Sequence, residues 1–74
     1  AGGFTVDCLM DIDDFSKAFN ASIQKENFET LAGYLLAACG RIPLKGEELD
    51  LTPGKFTILE ASRRAVRRVH FKPR

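Results

Sequence analysis

Apolar and polar positions change period several times along the chain, and each change marks an element. Phe4 and Val6 alternate with Thr5 and Asp7 in a run rich in β-branched and aromatic residues, which predicts a first strand over residues 4–7. From Asp11 the period lengthens. Ile12, Phe15 and Phe19 fall at helical spacing, with Asp11 placed to cap the first turn and Asp13 and Asp14 inside it, where the positive end of the helix dipole favours carboxylates. Residues 20–29 form a polar connector in which Ile23 tucks inward, a short strand over residues 22–24 is a further candidate, and Phe28 packs back on the next helix as a staple.

Residues 28–46 organise the rest. Thr30 is a suitable N-cap and Gly40 a suitable left-handed terminator, and between them nearly every position is apolar. Leu31, Tyr34, Leu35 and Ala38 follow the i, i+3, i+4, i+7 rule, while Ala32, Leu36 and Cys39 widen the stripe, so the expectation is a central helix covered on most sides. The run is far shorter than the roughly 20 apolar residues a membrane-spanning helix needs. Gly33 inside it costs about 1 kcal/mol relative to alanine, which predicts close approach by a strand backbone. Pro43 and Gly46 punctuate the loop that follows, with Ile42 and Leu44 expected to anchor it on the core.

Three strands close the chain. Residues 48–51 place Leu49 and Leu51 on one face. Thr52, Pro53, Gly54 and Lys55 read as a type II turn, and residues 55–60 then place Phe56 and Ile58 inward. Residues 61–64 turn the chain again. Val66, Val69 and Phe71 cannot all share one face of a regular strand, so a strand there needs a bulge near Arg67 and Arg68; a helix is the competing reading on periodicity alone. The resulting fold class is α+β, a small β-α-α-β-β-β sandwich of antiparallel strands with helices on one face.

Length bounds this picture: a chain of 74 residues is one domain, and domains near this size bury only about 60 % of their unfolded surface. Residues 1–3 read as a flexible linker ahead of a domain over residues 4–74, and the chain reads as a piece of something larger. Cys8 and Cys39 lie in apolar contexts without metal or redox spacing, which predicts free buried thiols and a reducing compartment. The net charge of +1 hides an asymmetry, because residues 1–30 hold six acids against two bases whereas residues 61–74 hold six bases and no acid.

Chemistry is sparse. His70 is the lone histidine, with no nucleophile placed near it, and no glycine motif cradles a phosphate, so no enzyme is expected. The Asp11, Asp13 and Asp14 cluster lacks the glycine and distal glutamate of a calcium loop and reads as a helix cap, leaving no metal site assigned. Arg63, Arg64, Arg67 and Arg68 would line phosphates if helical; on a strand they divide, Arg63 and Arg67 against Arg64 and Arg68, and nucleic acid is not an expected partner. The surfaces left for interaction are Arg41, Lys45 and Glu47 in the loop, where Gly40, Pro43 and Gly46 fix the backbone and all three charges are expected to point outward, together with Arg64 and Arg68.

Glu29 to Gly33 (E-T-L-A-G), an apolar run, Gly40 to Pro43 (G-R-I-P) and Lys45 to Glu47 (K-G-E) together resemble the CorC/HlyC-type transporter-associated domain. Val6, Asp7 and Cys8 match the family's V-D-G opening, with Cys8 where the glycine usually stands. The resemblance implies the cytosolic C-terminal module of a CBS-containing, hemolysin-like or magnesium and cobalt efflux membrane protein. It further implies a regulatory or interaction role on the cytoplasmic face, acting through the CBS domains and membrane domain of the same polypeptide or through a homodimer. It favours the strand reading of residues 65–71. The family's fold is similar to part of a FAD-binding (PCMH-like) domain, so an adenine nucleotide or flavin-like ligand is implied by fold analogy alone, and no cofactor is assigned to any residue. The alternatives are a small-ligand sensor binding a nucleotide or divalent cation and, from another class, a small nucleic-acid-binding domain.

Overall fold

A computed structural model describes residues 2–21, 23 and 26–74. The order is β1 (Phe4–Asp7), α1 (Ile12–Ala18), α2 (Leu31–Cys39), β2 (Glu48–Leu51), β3 (Gly54–Ala61) and β4 (Val66–Pro73). All strand pairings are antiparallel, in the order β1-β4-β3-β2, so the chain's first strand pairs with its last. The candidate strand over residues 22–24 lies outside the described residues.

The helices cover one face of this sheet. Val6, Phe56, Ile58, Val66, Val69 and Phe71 face them, and Ile12 and Phe15 of α1 and Leu31 and Leu35 of α2 complete the buried cluster. All six phenylalanines and the one tyrosine join a single chain of ring contacts. Phe15, like Phe19, Phe56 and Phe71, makes three of these contacts, with centroids 4.9 Å from Phe19, 6.0 Å from Phe56 and 4.9 Å from Phe71. Phe4 points toward Phe19 at 5.1 Å but stays 51 % exposed, because β1 is an edge strand with nothing beyond it.

Local signals explain the helix ends. The Asp11 carboxylate accepts from the Asp13 N–H at 2.8 Å, and the Thr30 hydroxyl accepts from the Gly33 N–H at 3.2 Å. Gly40 closes α2 at φ 78°, and its N–H donates to the Leu36 carbonyl at 2.8 Å. The remaining first-turn donors of α2 are taken by the segment before α1: Leu31 N–H donates to Met10 O and Ala32 N–H to Cys8 O, each at 3.0 Å. Those bonds leave no donor there for an anion.

Four expectations are corrected. First, α2 is not covered on most sides: Leu31 and Leu35 are buried, whereas Leu36, Ala37 and Ala38 are exposed, since the helix lies against one face of one sheet and turns these three residues away from it. Second, Gly33 is crowded by a side chain, not a strand. A Cβ at this position would stand 2.8 Å from Cβ of Phe28, whose ring packs on Tyr34 at 5.6 Å as the staple requires. Third, the β2–β3 turn is centred on Thr52 and Pro53, with Leu51 opposite Gly54; Gly54 already belongs to β3, where a Cβ would collide with the Lys72 carbonyl of β4. Fourth, Pro43 is the buried anchor of the loop after α2 with Ile42 half-buried beside it, while Leu44 points into solvent.

The bulge is present. Between Ile58 opposite Val69 and Ala61 opposite Val66, β3 carries Leu59 and β4 carries Arg67 outside the ladder. The extra residue in β4 is what lets Val66 share the core face with Val69 and Phe71. Cys8 is buried and Cys39 half-buried, both free. Burial, reinforced by the Asp7 charge, pushes the Cys8 thiol up to about 12, so at neutral pH it is a protonated, inert core side chain.

Gly33 supplies a test of this packing. Alanine there gains about 1 kcal/mol of helix propensity but forces Phe28 away, and overpacking typically costs about 1–3 kcal/mol. Gly33→Ala is expected to lower the denaturation midpoint and Gly33→Leu to lower it further. An alanine variant more stable than the parent would show that Phe28 yields freely.

Candidate interaction surface

The loop between α2 and β2 is built as a clasp. Gly46 N–H donates to Ile58 O at 2.7 Å and Ile58 N–H to Glu47 O at 2.9 Å, fastening the end of the loop to β3. Gly46 stands at φ 89°, a left-handed conformation that suits glycine, beside Lys45 at the tip. Arg41 Nη1 and Nη2 donate to Glu47 Oε1 and Oε2 at 3.1 and 2.5 Å, and the same carboxylate accepts the Leu44 N–H at 2.9 Å. Arg41 and Glu47 therefore answer each other across the loop: both lie at the surface, as expected, but as a mutual ion pair and not as two free charges. Their spacing of six residues brings them together because the loop doubles back. Lys45 remains exposed, without an ion pair among the described residues.

The arginine hydrogen bond, and next the Leu44 N–H, hold the Glu47 carboxyl below its ordinary range. A carboxylate whose folded value is depressed contributes fully above its unfolded value and loses that contribution as pH falls through the lower, folded one. Below that range the clasp opens. The expected result is a lower protection factor for the Leu44 amide in acid, measured against its intrinsic rate at the same pH, reproduced at neutral pH by Glu47→Gln, with the global denaturation midpoint little moved because the pair is exposed. Equal Leu44 exchange in Glu47→Gln and the parent would contradict the clasp.

The opposite wall is the β3–β4 hairpin. Ser62 organises it: its hydroxyl accepts from Arg64 N–H at 3.2 Å and Ala65 N–H at 3.4 Å, and Ser62 N–H donates to Ala65 O at 2.9 Å. Serine hydroxyls form such turns, so Ser62 carries in the sequence the local signal for this one. Arg63 and Arg64 consequently sit in the turn, Arg67 on the bulge, and Arg68 in the ladder opposite Asp7 and Glu60. They form no helical stripe, and the predicted division between two strand faces is replaced by this arrangement.

Between loop and hairpin lies a groove of about 220 Å³ floored by Gly33 and Leu36 of α2 and walled by Ile42, Pro43, Val66 and Arg64. The structure thus brings Arg64 together with Thr30, Gly33 and Pro43, whereas Arg41, Lys45, Glu47, Arg68, Gly40 and Gly46 do not line the groove. Among the described residues no three His, Cys, Asp or Glu side chains converge as a metal site, and no helix is long and apolar enough to cross a membrane. Arg74 was not foreseen. It ion-pairs with Asp50 and donates to the Thr52 and Leu51 carbonyls at 3.3 and 3.0 Å, locking the β2–β3 turn to the end of β4.

The family model described as "Transporter associated domain", CorC_HlyC, matches residues 1–74. The chain belongs to the CorC_HlyC family. Over 69 residues it is 33 % identical to the magnesium and cobalt efflux protein CorC of Escherichia coli K12, an alignment covering 93 % of the chain and 24 % of that protein. The CorC_HlyC domain therefore spans about a quarter of the length of the relatives it matches. Among solved structures, the putative Mg2+ and Co2+ transporter (CorC) associated region of Neisseria meningitidis superposes with a TM-score of 0.92 at 19 % identity, covering all of this chain and 91 % of that one. A hemolysin domain from Enterococcus faecalis reaches 0.74 at 35 % identity, covering 96 % and 89 %. These confirm the β-α-α-β-β-β fold and the family reading of the E-T-L-A-G and G-R-I-P segments. Cys8 itself is fully buried and fills core space.

Proposed function

We propose that this CorC_HlyC domain is a non-enzymatic regulatory module on the cytoplasmic side of a membrane transporter for divalent cations such as magnesium and cobalt, and that it acts by docking on CBS domains of the same polypeptide. The observation that carries the reading is the family match over the whole chain, joined to a share of only about a quarter of relatives named as efflux proteins. The groove between the clasped loop and the arginine hairpin is the docking surface: its backbone is fixed by the Glu47 and Ser62 hydrogen bonds, so ordering on contact costs little. Ions are handled elsewhere in the polypeptide, and the proposal includes no nucleotide or flavin.

The test uses the full-length transporter carrying Lys45→Glu with Arg64→Glu, exposed cations at the tip of the loop and on the groove wall respectively, and leaves the Arg41 clasp intact. Altered cobalt or magnesium efflux with normal expression and weakened CBS association is expected. Unchanged flux together with unchanged association would reject the reading.

A further inference from the structure

Helix α2 of the CorC_HlyC domain separates two depressions. Ala32, Gly33 and Leu36 line the groove, whereas Tyr34, Ala37 and Ala38, on the opposite flank of the helix, line a cleft of about 330 Å³ that Phe28, Thr52 and Pro53 also bound. Gly33 builds the aromatic wall of this cleft, because only without a Cβ there can Phe28 lie so close to the helix. The Phe28 and Tyr34 rings stand 5.6 Å apart with their planes at 62°, which makes a corner, and both residues are half-buried, so each keeps surface toward the cleft. The facing turn is held in place. Arg74 N–H donates to Pro53 O at 3.1 Å, and the Arg74 side chain donates to the Thr52 and Leu51 carbonyls and pairs with Asp50 without lining the cleft. Among the described residues Glu26 is the one charged side chain that lines the cleft, and it forms no ion pair among them.

We propose that this cleft binds a small organic ammonium ion, its cationic head against the Phe28–Tyr34 corner and its charge balanced by the Glu26 carboxylate. The face of an aromatic ring is the negative end of its quadrupole and attracts a cation, most strongly where water is partly excluded. Burial pushes the Tyr34 hydroxyl above its ordinary value, so at neutral pH the ring is an uncharged phenol. An anion would meet Glu26 and no lining cation among the described residues. A divalent metal ion needs several hard oxygen ligands, and the cleft supplies a single carboxylate. The short side chains of Ala37 and Ala38 leave the corner open and give apolar contact to the methyl groups of an alkylated ammonium. This site stands apart from the docking reading, because cleft and groove share no lining residue.

The test is a titration of the 74-residue chain with choline at constant ionic strength, read from backbone amide chemical shifts. The hemolysin domain from Enterococcus faecalis, 89 % of which the chain covers, holds the fold by itself, so the chain alone is a proper sample. Saturable shifts are expected at Phe28, Tyr34, Ala37, Ala38 and Thr52, with a Kd of about 1 mM or below. The uncharged carbon isostere of choline, dimethylbutanol, should bind at least about tenfold more weakly, and Tyr34→Leu should weaken choline by a similar factor. Glu26→Gln, a surface change that leaves circular dichroism unaltered, should weaken choline severalfold and dimethylbutanol not at all. No saturable shift with choline in the tens of millimolar would overturn the proposal. Equal affinity for choline and dimethylbutanol would overturn it too, since the cleft would then select shape and not charge. So would shifts centred outside the cleft, or choline binding indifferent to both substitutions.

Discussion

Replacing Phe15 with alanine is expected to remove a large share of the domain's stability and move its unfolding midpoint far toward zero denaturant. Phe15 is fully buried and touches rings from its own helix and from β3 and β4, so its removal breaks the contact that seats α1 on the sheet. Phenylalanine to alanine changes in cores cost about 3–5 kcal/mol. A chain of this length has roughly 4–11 kcal/mol in all. Chemical denaturation followed by circular dichroism reads the result directly: a sloping curve without a native baseline, or a midpoint close to zero denaturant. A loss below about 1.5 kcal/mol would mean that the aromatic cluster can close over the cavity and that α1 is held by other contacts.

The second large effect separates two adjacent leucines. Leu35→Ala should destabilise by about 2–5 kcal/mol, because the side chain is wholly buried between α2 and the sheet. Leu36→Ala should change stability by no more than about 0.5 kcal/mol, as an exposed position on the open side of the helix does. Equal losses at the two positions would restore the expectation of a helix covered on most sides and close the groove as a surface.

That contrast also shows what the chain's pattern could carry. Where apolar and polar positions alternate, the reading is sharp: the first three strands, the Asp11 and Thr30 caps and the Gly40 terminator follow from period and end residues, whereas the fourth strand needs the family resemblance to exclude a helix, and its bulge then follows from the clash between Val66, Val69 and Phe71. Inside α2 the pattern is silent about direction. Leu31 with Leu35 and Ala32 with Leu36 are equally good i, i+4 pairs, so an apolar run cannot say which side meets the sheet. The β2–β3 turn moved by one residue because Gly54 answers to the Lys72 carbonyl across the hairpin, a tertiary demand that looks like turn chemistry in sequence. The candidate surface was the least legible part. Arg41 and Glu47 stand out in the sequence as loop charges, but their pairing depends on a loop that folds back through hydrogen bonds to Ile58, and no helical or strand spacing encodes it.

The central claim is that the open side of α2, with the clasped loop and the hairpin around it, is a docking surface in the full-length protein. Amide hydrogen exchange measured on the 74-residue chain and on the intact transporter under matched conditions tests it most directly. The account predicts slower exchange in the intact protein over residues 33–36, 41–47 and 62–66, with the buried strands β3 and β4 beyond the hairpin unchanged. Identical exchange over those three segments in the two proteins would contradict it.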